Sequence, residues 1–179
     1  DLPILNLRSF SDMIPPTHRV FHDFTVDANK EHMAIEANWI PYVEGVQFLP
    51  LWFGTRSQPG FANILRIRPG KQLNPHFHPS GVFGFTLSGS WRYLEHDWVA
   101  TSGTFIWEPP GEAHTLVVDE AATEPMITYF VSLGGLIYLD NMESGLPVSY
   151  DDGFTLLEIA LQYYKSIGRD PDDLYKLCR

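Results

Sequence analysis

The sequence predicts an all-β fold, an antiparallel sandwich or barrel, with helices at its C-terminal end. Aromatic residues make up 14% of the chain (5 Trp, 12 Phe and 8 Tyr), and aromatic side chains are enriched in strands. The 14 Gly and 14 Pro are spread along the chain and separate short apolar runs, as expected for strands joined by tight turns. Hydrophobic residues amount to 44% and charged residues to 19%, which is typical of a globular protein.

Seven short strands are predicted in the central part of the chain, each bounded by Gly, Pro, Asn or Asp. They cover residues 47–52, 62–68, 82–87, 91–96, 104–108, 115–118 and 126–133. Short strands at this spacing favour a sandwich or barrel over the strand–helix alternation of a parallel sheet. A chain of 179 residues fits one domain, so we expect a single domain over 1–179 with its barrel at about 46–140.

Helical signals lie in a C-terminal tail at about 152–179. Apolar residues recur at helical spacing within residues 154–165, and Gly168 ends this run. Asp170 is predicted as the N-cap of a second, short helix, with Pro171 in its first turn.

Charge and cysteine content exclude several classes of protein. Lys and Arg total 12 against 22 Asp and Glu, a net charge of -10, which argues against nucleic acid as a partner. No stretch approaches the roughly 18 apolar residues of a membrane helix, so no membrane association is expected. Cys178 is the only cysteine, which excludes an intrachain disulfide and a thiolate metal cluster. The opening residues lack the pattern of a signal peptide, and we expect a cytoplasmic protein.

Three of the 7 histidines fall in a pattern with chemical meaning. His76 and His78 are separated by one residue. In an extended segment their side chains lie on one face, with Cα atoms about 6.6 Å apart, so both imidazoles can reach one metal ion. Two surface histidines are the ordinary alternative, and His114 favours the metal site because Gly and Pro surround all three at matching offsets.

These residues resemble the two motifs of the cupin superfamily. The first motif is matched in spacing by Gly70, His76, His78 and Gly89. The second is matched by Gly103, Pro109, Gly111 and His114. The resemblance implies a jelly-roll barrel (a double-stranded β-helix) that binds one metal ion through His76, His78 and His114.

The sequence departs from the first cupin motif where a Glu usually follows the histidine pair. Val82 occupies the slot that keeps register with Gly89, and Phe83 occupies the alternative slot. Three histidines without a carboxylate are therefore expected, with Glu95 or Asp97 as a less favoured fourth ligand. Neutral ligands leave the double positive charge on the metal, which favours anionic, chelating substrates.

At whole-chain level the sequence is similar to the 2,4'-dihydroxyacetophenone dioxygenases of the cupin superfamily. This resemblance implies iron(II) as cofactor and a small aromatic hydroxyketone and O2 as substrates. The bond between the carbonyl and hydroxymethyl carbons would be cleaved, giving 4-hydroxybenzoate and formate. A homo-oligomer, a dimer or tetramer, is also implied. A zinc-binding sensor or ligand-binding cupin, and a related β-diketone or thiol dioxygenase, remain open as alternatives.

Glu108, six residues before His114, is the candidate catalytic residue outside the ligand set. Diketone-cleaving cupins similar to this chain have a glutamate at the same offset. Such a carboxylate could orient an imidazole or hold a metal-bound water. An exposed acid at the end of a strand is the equally weighted alternative.

Other candidates are weaker. His18 and His22 have the i, i+4 spacing of a helical metal pair but lack a third ligand, so surface positions are favoured for them and for His32 and His96. Seven aromatic side chains could line a pocket, but most are expected in the barrel core or on an oligomer surface. They are Phe77, Phe83, Phe85, Trp91, Trp98, Phe105 and Trp107.

Overall fold

A computed structural model describes Pro15 and residues 24–56 and 58–179, and it contains two antiparallel six-stranded sheets. Its first six strands are β1 Ile40–Val43, β2 Val46–Phe53, β3 Phe61–Ile67, β4 Gln72–Phe77, β5 Val82–Ser88 and β6 Ser90–Tyr93. The others are β7 Ala100–Thr101, β8 Phe105–Glu108, β9 Ala113–Val117, β10 Met126–Ser132, β11 Leu136–Leu139 and β12 Pro147–Asp151. The predicted all-β class is confirmed, and the single domain over 1–179 stays a prediction.

The strand order is β1-β2-β3-β10-β5-β8 in the first sheet and β12-β11-β4-β9-β6-β7 in the second. Inward-facing side chains of both sheets form one large hydrophobic core, which includes Phe48 and Leu65 from the first sheet and Leu73 and Leu116 from the second. Burial of this apolar surface is what holds the sheets together. The space between the sheets is therefore the interior of the barrel.

The predicted strands match seven observed ones to within a few residues at most ends, and five further strands were missed. The strand predicted at 91–96 ends at Tyr93, where a turn follows. Among those missed, β4 contains Pro75, which a strand accommodates only at an edge or an irregularity. The register of β4 with β9 shifts at this point, between Leu73 and His76. The missed β12 is an exposed edge strand without the alternation that identifies a half-buried strand.

Three α-helices are described, α1 Lys30–Ala34, α2 Gly153–Ser166 and α3 Asp172–Tyr175. The helix predicted at 154–165 corresponds to α2, whose N-cap Asp152 accepts hydrogen bonds from the backbone N–H groups of Phe154 and Thr155. The predicted cap of α3 was wrong by one residue. Pro171 is the N-cap, and the Asp170 carboxylate instead accepts from the Asp172 N–H at 2.9 Å. No helix in the described ranges is long and apolar enough to cross a membrane.

The outer surface of the first sheet is covered only in part. Residues near α1 pack on the outside of β2 and β3, where Trp39, Leu49 and Ile64 form a second small cluster. The outer side of β5 and β8 remains exposed, and we call its four aromatic residues the aromatic face. They are Phe83, Phe85, Phe105 and Trp107, between 39% and 63% exposed. These four side chains point away from the barrel interior and line no pocket there.

Candidate metal centre

The structure brings His76, His78 and His114 together inside the barrel. His76 lies in β4 and is paired with His114 of β9, and His78 follows directly after β4. All three side chains are buried, and their donor atoms lie within 4.8 Å of one another. The three histidines could therefore hold a metal ion, as the sequence predicted, and their role as ligands stays a prediction.

A tight turn places His114 opposite the other two histidines. Pro109, Pro110 and Gly111 connect β8 to β9, and Gly111 has φ +83°, a conformation that residues with a side chain rarely adopt. The Gly111 N–H donates to the His78 carbonyl at 2.8 Å, which ties the turn to the end of β4. The Gly–Pro spacing of the second motif is thus explained by the connection it makes.

Hydrogen bonds at Nδ1 fix the form of two imidazoles. The Nδ1 of His76 donates to the Asn74 carbonyl at 2.7 Å, and that of His78 donates to the Gly135 carbonyl at 3.2 Å. A carbonyl only accepts, so Nδ1 carries the proton and each Nε2 keeps its lone pair. The Nε2 of His114 is buried and has no hydrogen-bond partner. The lone pairs of these Nε2 atoms are therefore available to coordinate a metal ion.

Burial also keeps the imidazoles neutral. It lowers the pKa of His76 to about 4, that of His78 to about 3 and that of His114 to about 2. Protons therefore do not compete with a metal ion for these nitrogens near neutral pH.

Glu108 adds a carboxylate to the same site. It ends β8, is only 4% exposed, and is paired with Val82 across β5 and β8. Its Oε2 has no hydrogen-bond partner and lies 3.6 Å from the Nε2 of His78 and 3.5 Å from the Nε2 of His114. Burial raises its pKa to about 7. The carboxylate missing at Val82 is thus present on the neighbouring strand, and its catalytic role stays a prediction.

Tyr93, which the sequence analysis missed, supports both His114 and Glu108. Its ring stacks on the imidazole of His114, with centroids 3.8 Å apart and planes at 9°. Its hydroxyl donates a short hydrogen bond to Oε1 of Glu108. The buried Trp91 and Tyr93 alternate with half-buried neighbours in β6, and this alternation is the signal that could have placed Tyr93 inside the barrel.

The donor set suits a divalent transition metal. Three imidazole nitrogens with free lone pairs and one carboxylate oxygen without a partner converge in a buried space. Imidazole ligands favour iron, zinc, copper or nickel over the oxygen-seeking magnesium and calcium. Unpartnered buried polar atoms are rare in folded proteins, and a bound cation would give both the Nε2 of His114 and the Oε2 of Glu108 a partner.

The site opens into a cavity of about 50 Å³ between the sheets, larger than one water molecule needs. Apolar side chains form most of its wall, among them Phe48, Leu65, Leu73, Phe130 and Leu136. Besides His76, His78 and Glu108, its polar lining consists of Tyr42, Asn63, Tyr93, Ser132 and Tyr138. A mostly apolar cavity with a few convergent polar groups is the usual form of a small-molecule site.

The remaining candidates are elsewhere. Glu95 is exposed and accepts the Thr115 N–H at 2.8 Å, and Asp97 is exposed, so neither lies in the histidine cluster. His96 approaches Glu112 at 3.1 Å on the surface. His32 belongs to α1, outside the barrel interior. His18 and His22 lie outside the described residues.

Replacing Glu108 with Gln removes the charge of the carboxylate and keeps its hydrogen bond with Tyr93. The Gln Oε1 can still accept from Tyr93, whereas the atom facing the two histidines becomes an NH2 group without charge. We expect activity or metal retention to fall about 10- to 100-fold, the usual effect of groups that orient metal ligands. Metal content and turnover measure this. Glu112→Gln, a half-buried acid in the same loop region, is the matched control. Wild-type behaviour of Glu108→Gln would contradict the assigned role.

Comparisons with known proteins agree with this architecture. The profile of the ChrR cupin-like domain matches residues 30–137, more than half of the chain. No curated protein sequence matches the chain. Among solved structures, an RmlC-like cupin protein of Ralstonia eutropha JMP134 is 29% identical, with a TM-score of 0.68 over 74% of this chain and 85% of that one.

Two further solved structures show the fold alone, because their sequence identity is low. A protein of unknown function with a cupin-like fold from Ralstonia eutropha JMP134 is 21% identical, with a TM-score of 0.65 over 69% of this chain and 75% of that one. An acetylacetone dioxygenase from Acinetobacter johnsonii is 14% identical, with a TM-score of 0.63 over 83% of this chain and 95% of that one.

Proposed function

The chain belongs to the ChrR cupin-like domain family, and from this premise we propose that it is a non-haem iron(II) dioxygenase of small aromatic hydroxyketones. In the proposed reaction, 2,4'-dihydroxyacetophenone and one O2 give one 4-hydroxybenzoate and one formate. The observation that carries the proposal is the set of three buried, neutral imidazoles whose ligand atoms lie within 4.8 Å of one another, two of them, His76 and His78, lining a mostly apolar cavity. The same fold supports a dioxygenase in Acinetobacter johnsonii.

His76, His78 and His114 are the residues that would hold the iron. Bound iron(II) supplies the one-electron chemistry that reaction with O2 requires. The Asn74 and Gly135 carbonyls keep the donor atoms of His76 and His78 directed away from the backbone. The Tyr93 ring fixes the plane of the third imidazole. These contacts keep the geometry of the ligands constant when substrate enters.

In the proposed reaction the cavity would select aromatic substrates and exclude water. Its apolar wall would pack against the aromatic ring of a substrate and keep water from the reacting carbons. The bond between the carbonyl and hydroxymethyl carbons breaks, and each of these carbons gains one oxygen atom. The electrons come from the substrate, so the reaction needs no nicotinamide or flavin.

Labelled oxygen tests the reaction directly. With ¹⁸O2 we expect one label in 4-hydroxybenzoate and one in formate, because both atoms of one O2 enter the products. Mass spectrometry of both acids, with iron-loaded protein and short reaction times, measures this. The same reaction in H2¹⁸O with unlabelled gas is the control. Label taken only from water would contradict a dioxygenase and indicate hydrolysis.

A zinc-binding sensor or ligand-binding module is the second candidate, and the position of Glu108 favours it. A closed zinc site has four ligands, and three histidines with one carboxylate would provide them. The Oε2 of Glu108, 3.6 and 3.5 Å from the Nε2 atoms of His78 and His114, would supply the fourth ligand of such a site. Such a closed site would leave no position for reacting groups.

Metal analysis with an oxygen-uptake assay separates the candidates. We expect iron(II) to support oxygen uptake with the hydroxyketone, whereas a zinc module would bind zinc and consume no oxygen with any metal. Acetylacetone and a small thiol, assayed in the same way, test the alternative β-diketone and thiol substrates.

The aromatic face is the proposed contact between two copies of this chain. The neighbouring outward positions of β5 and β10 are uncharged as well: Leu87 is exposed, and Ile127, Tyr129 and Val131 are half-buried. Two copies that each have a net charge of -10 repel, so an uncharged face is where they can approach. Large exposed apolar patches are typical of interaction sites.

Light scattering after size-exclusion chromatography tests the oligomer. We expect wild-type protein to be a dimer or tetramer and the double variant Phe105→Ser/Trp107→Ser to have a lower mass. Leu146→Ser/Val148→Ser removes two equally exposed apolar residues elsewhere and is the matched control. A monomeric wild type, or an unchanged mass of the first variant, would refute this contact.

A further inference from the structure

A chain of hydrogen bonds leads from the cavity wall to a carboxylate. Tyr138 of β11 and Tyr42 of β1 both line the cavity, and their hydroxyl oxygens are 2.8 Å apart. Tyr42 also donates a short hydrogen bond to Oδ2 of Asp151, the last residue of β12. Tyr138 is paired with His76 across β11 and β4, so this series of hydrogen bonds begins beside the metal centre.

The Asp151 carboxylate sets the donor-to-acceptor direction of these hydrogen bonds. Asp151 accepts and does not donate, so the hydroxyl proton of Tyr42 points to Asp151. The Tyr42 oxygen must then accept the proton of Tyr138 in the second hydrogen bond. The remaining lone pair of Tyr138 has no donor among the described side chains, which makes it a hydrogen-bond acceptor for a ligand in the cavity.

Burial stabilises this arrangement. It raises the pKa of Tyr138 and, together with the nearby Tyr138 and Asp151, raises that of Tyr42. Both hydroxyls therefore stay protonated, and the orientation of their protons is set by Asp151. A hydroxyl acceptor in a mostly apolar wall selects ligands that bring a donor, because a ligand without one leaves a buried polar atom poorly satisfied.

We propose that Tyr138, oriented by Tyr42 and Asp151, is a subsite that accepts a hydrogen bond from the ring hydroxyl of the substrate. This inference rests on the proposed function and adds an orientation of the substrate. Its carbonyl and hydroxymethyl oxygens would face the metal that the histidines would hold, which leaves the ring hydroxyl as the free donor. The substrate class is thereby narrowed to aromatic hydroxyketones with an unblocked phenol. A β-diketone in its keto form lacks this donor.

Anaerobic calorimetry on the metal-loaded protein tests the subsite with two ligands that differ in one hydroxyl. They are 2,4'-dihydroxyacetophenone and 2-hydroxyacetophenone. We expect wild-type protein to bind the phenol about 10-fold more tightly, the size of one good buried hydrogen bond. Tyr138→Phe should reduce the ratio of the two affinities to about 1, because it weakens binding of the phenol and leaves binding of the other ligand unchanged. Tyr163→Phe, on α2 and outside the cavity lining, is the control and should keep the wild-type ratio.

Tyr42→Phe tests the direction of these hydrogen bonds. Without the hydroxyl of Tyr42, the hydroxyl of Tyr138 is free to turn its proton into the cavity. We expect the variant to lose preference for the phenol and to bind 2-hydroxy-4'-methoxyacetophenone, an acceptor without a donor, more tightly than wild type does. Thermal unfolding checks that each variant is folded.

The outcomes separate the subsite from the reaction. Binding with the expected preference but without oxygen uptake would refute the proposed function and leave the subsite supported. Turnover with an unchanged ligand ratio in Tyr138→Phe, or no binding of either ligand to wild type, would refute the subsite.

Discussion

Replacing His114 with alanine is expected to remove bound iron and to abolish turnover while the barrel stays folded. Among the described residues no further imidazole joins the three, so loss of one should weaken metal binding by more than about 100-fold, beyond the effect of groups that only orient ligands. His76→Ala and His78→Ala should behave alike. Metal content after dialysis and oxygen uptake measure these effects, and circular dichroism monitors the fold.

His96→Ala is the matched control for this series. His96 is close in sequence to the second motif and contacts Glu112, but it is not part of the cluster that the three histidines form. It should keep wild-type metal content and turnover. Full iron occupancy in His114→Ala would refute the ligand assignment, with or without residual activity.

Replacing Val82 with Glu is expected to make the stability of the protein depend on metal. Val82 is 1% exposed, lines the cavity and is paired with Glu108. A second carboxylate there would lie in a dry site beside the first. Without metal we expect the free energy of unfolding to fall by about 3 kcal/mol, because a buried charge lacks a partner. For a chain of this size that lowers Tm by about 6–12 °C.

A divalent metal should reverse this loss and be held more tightly than in wild type, since the new carboxylate offsets its charge. Turnover should nevertheless be lost. With Glu108 orienting the ligands and not bound to the metal, an octahedral site of three histidines leaves three positions, and a chelating substrate with O2 needs all of them. Thermal unfolding with and without metal, together with oxygen uptake, measures both effects. Val82→Gln, with the same shape and no charge, is the control. A folded, metal-replete Val82→Glu protein with undiminished turnover would contradict the need for an open face.

Local patterns predicted what depends on local geometry. The i, i+2 spacing of His76 and His78 places two side chains on one face wherever β4 is extended, and this holds in the structure. The positive φ angles of Gly70, Gly89, Gly103 and Gly111 explain why both motifs contain glycines at fixed positions. The apolar periodicity of α2 and the Gly that follows it were sufficient to place that helix.

Features that depend on strand pairing were beyond the reach of the sequence. The position of Glu108 opposite Val82 follows from the register of β5 with β8, which no single segment specifies. Tyr42 lies 96 residues from Tyr138 and 109 from Asp151, so nothing in their spacing connects them. Tyr93 resembled any other aromatic residue of a core strand until its contact with His114 was visible.

Because Val82 and Glu108 are paired, the carboxylate of the site can change position in the course of evolution. Either strand can supply the carboxylate, so two substitutions suffice to transfer it from one to the other. If the new acid is gained first, the lineage passes through a form with two acids that depends on metal for its stability. If the old acid is lost first, it passes through a form with only histidines. Among relatives, we therefore expect an acid at one of these two positions and an aliphatic residue at the other, so that the two positions covary although 26 residues separate them in the chain.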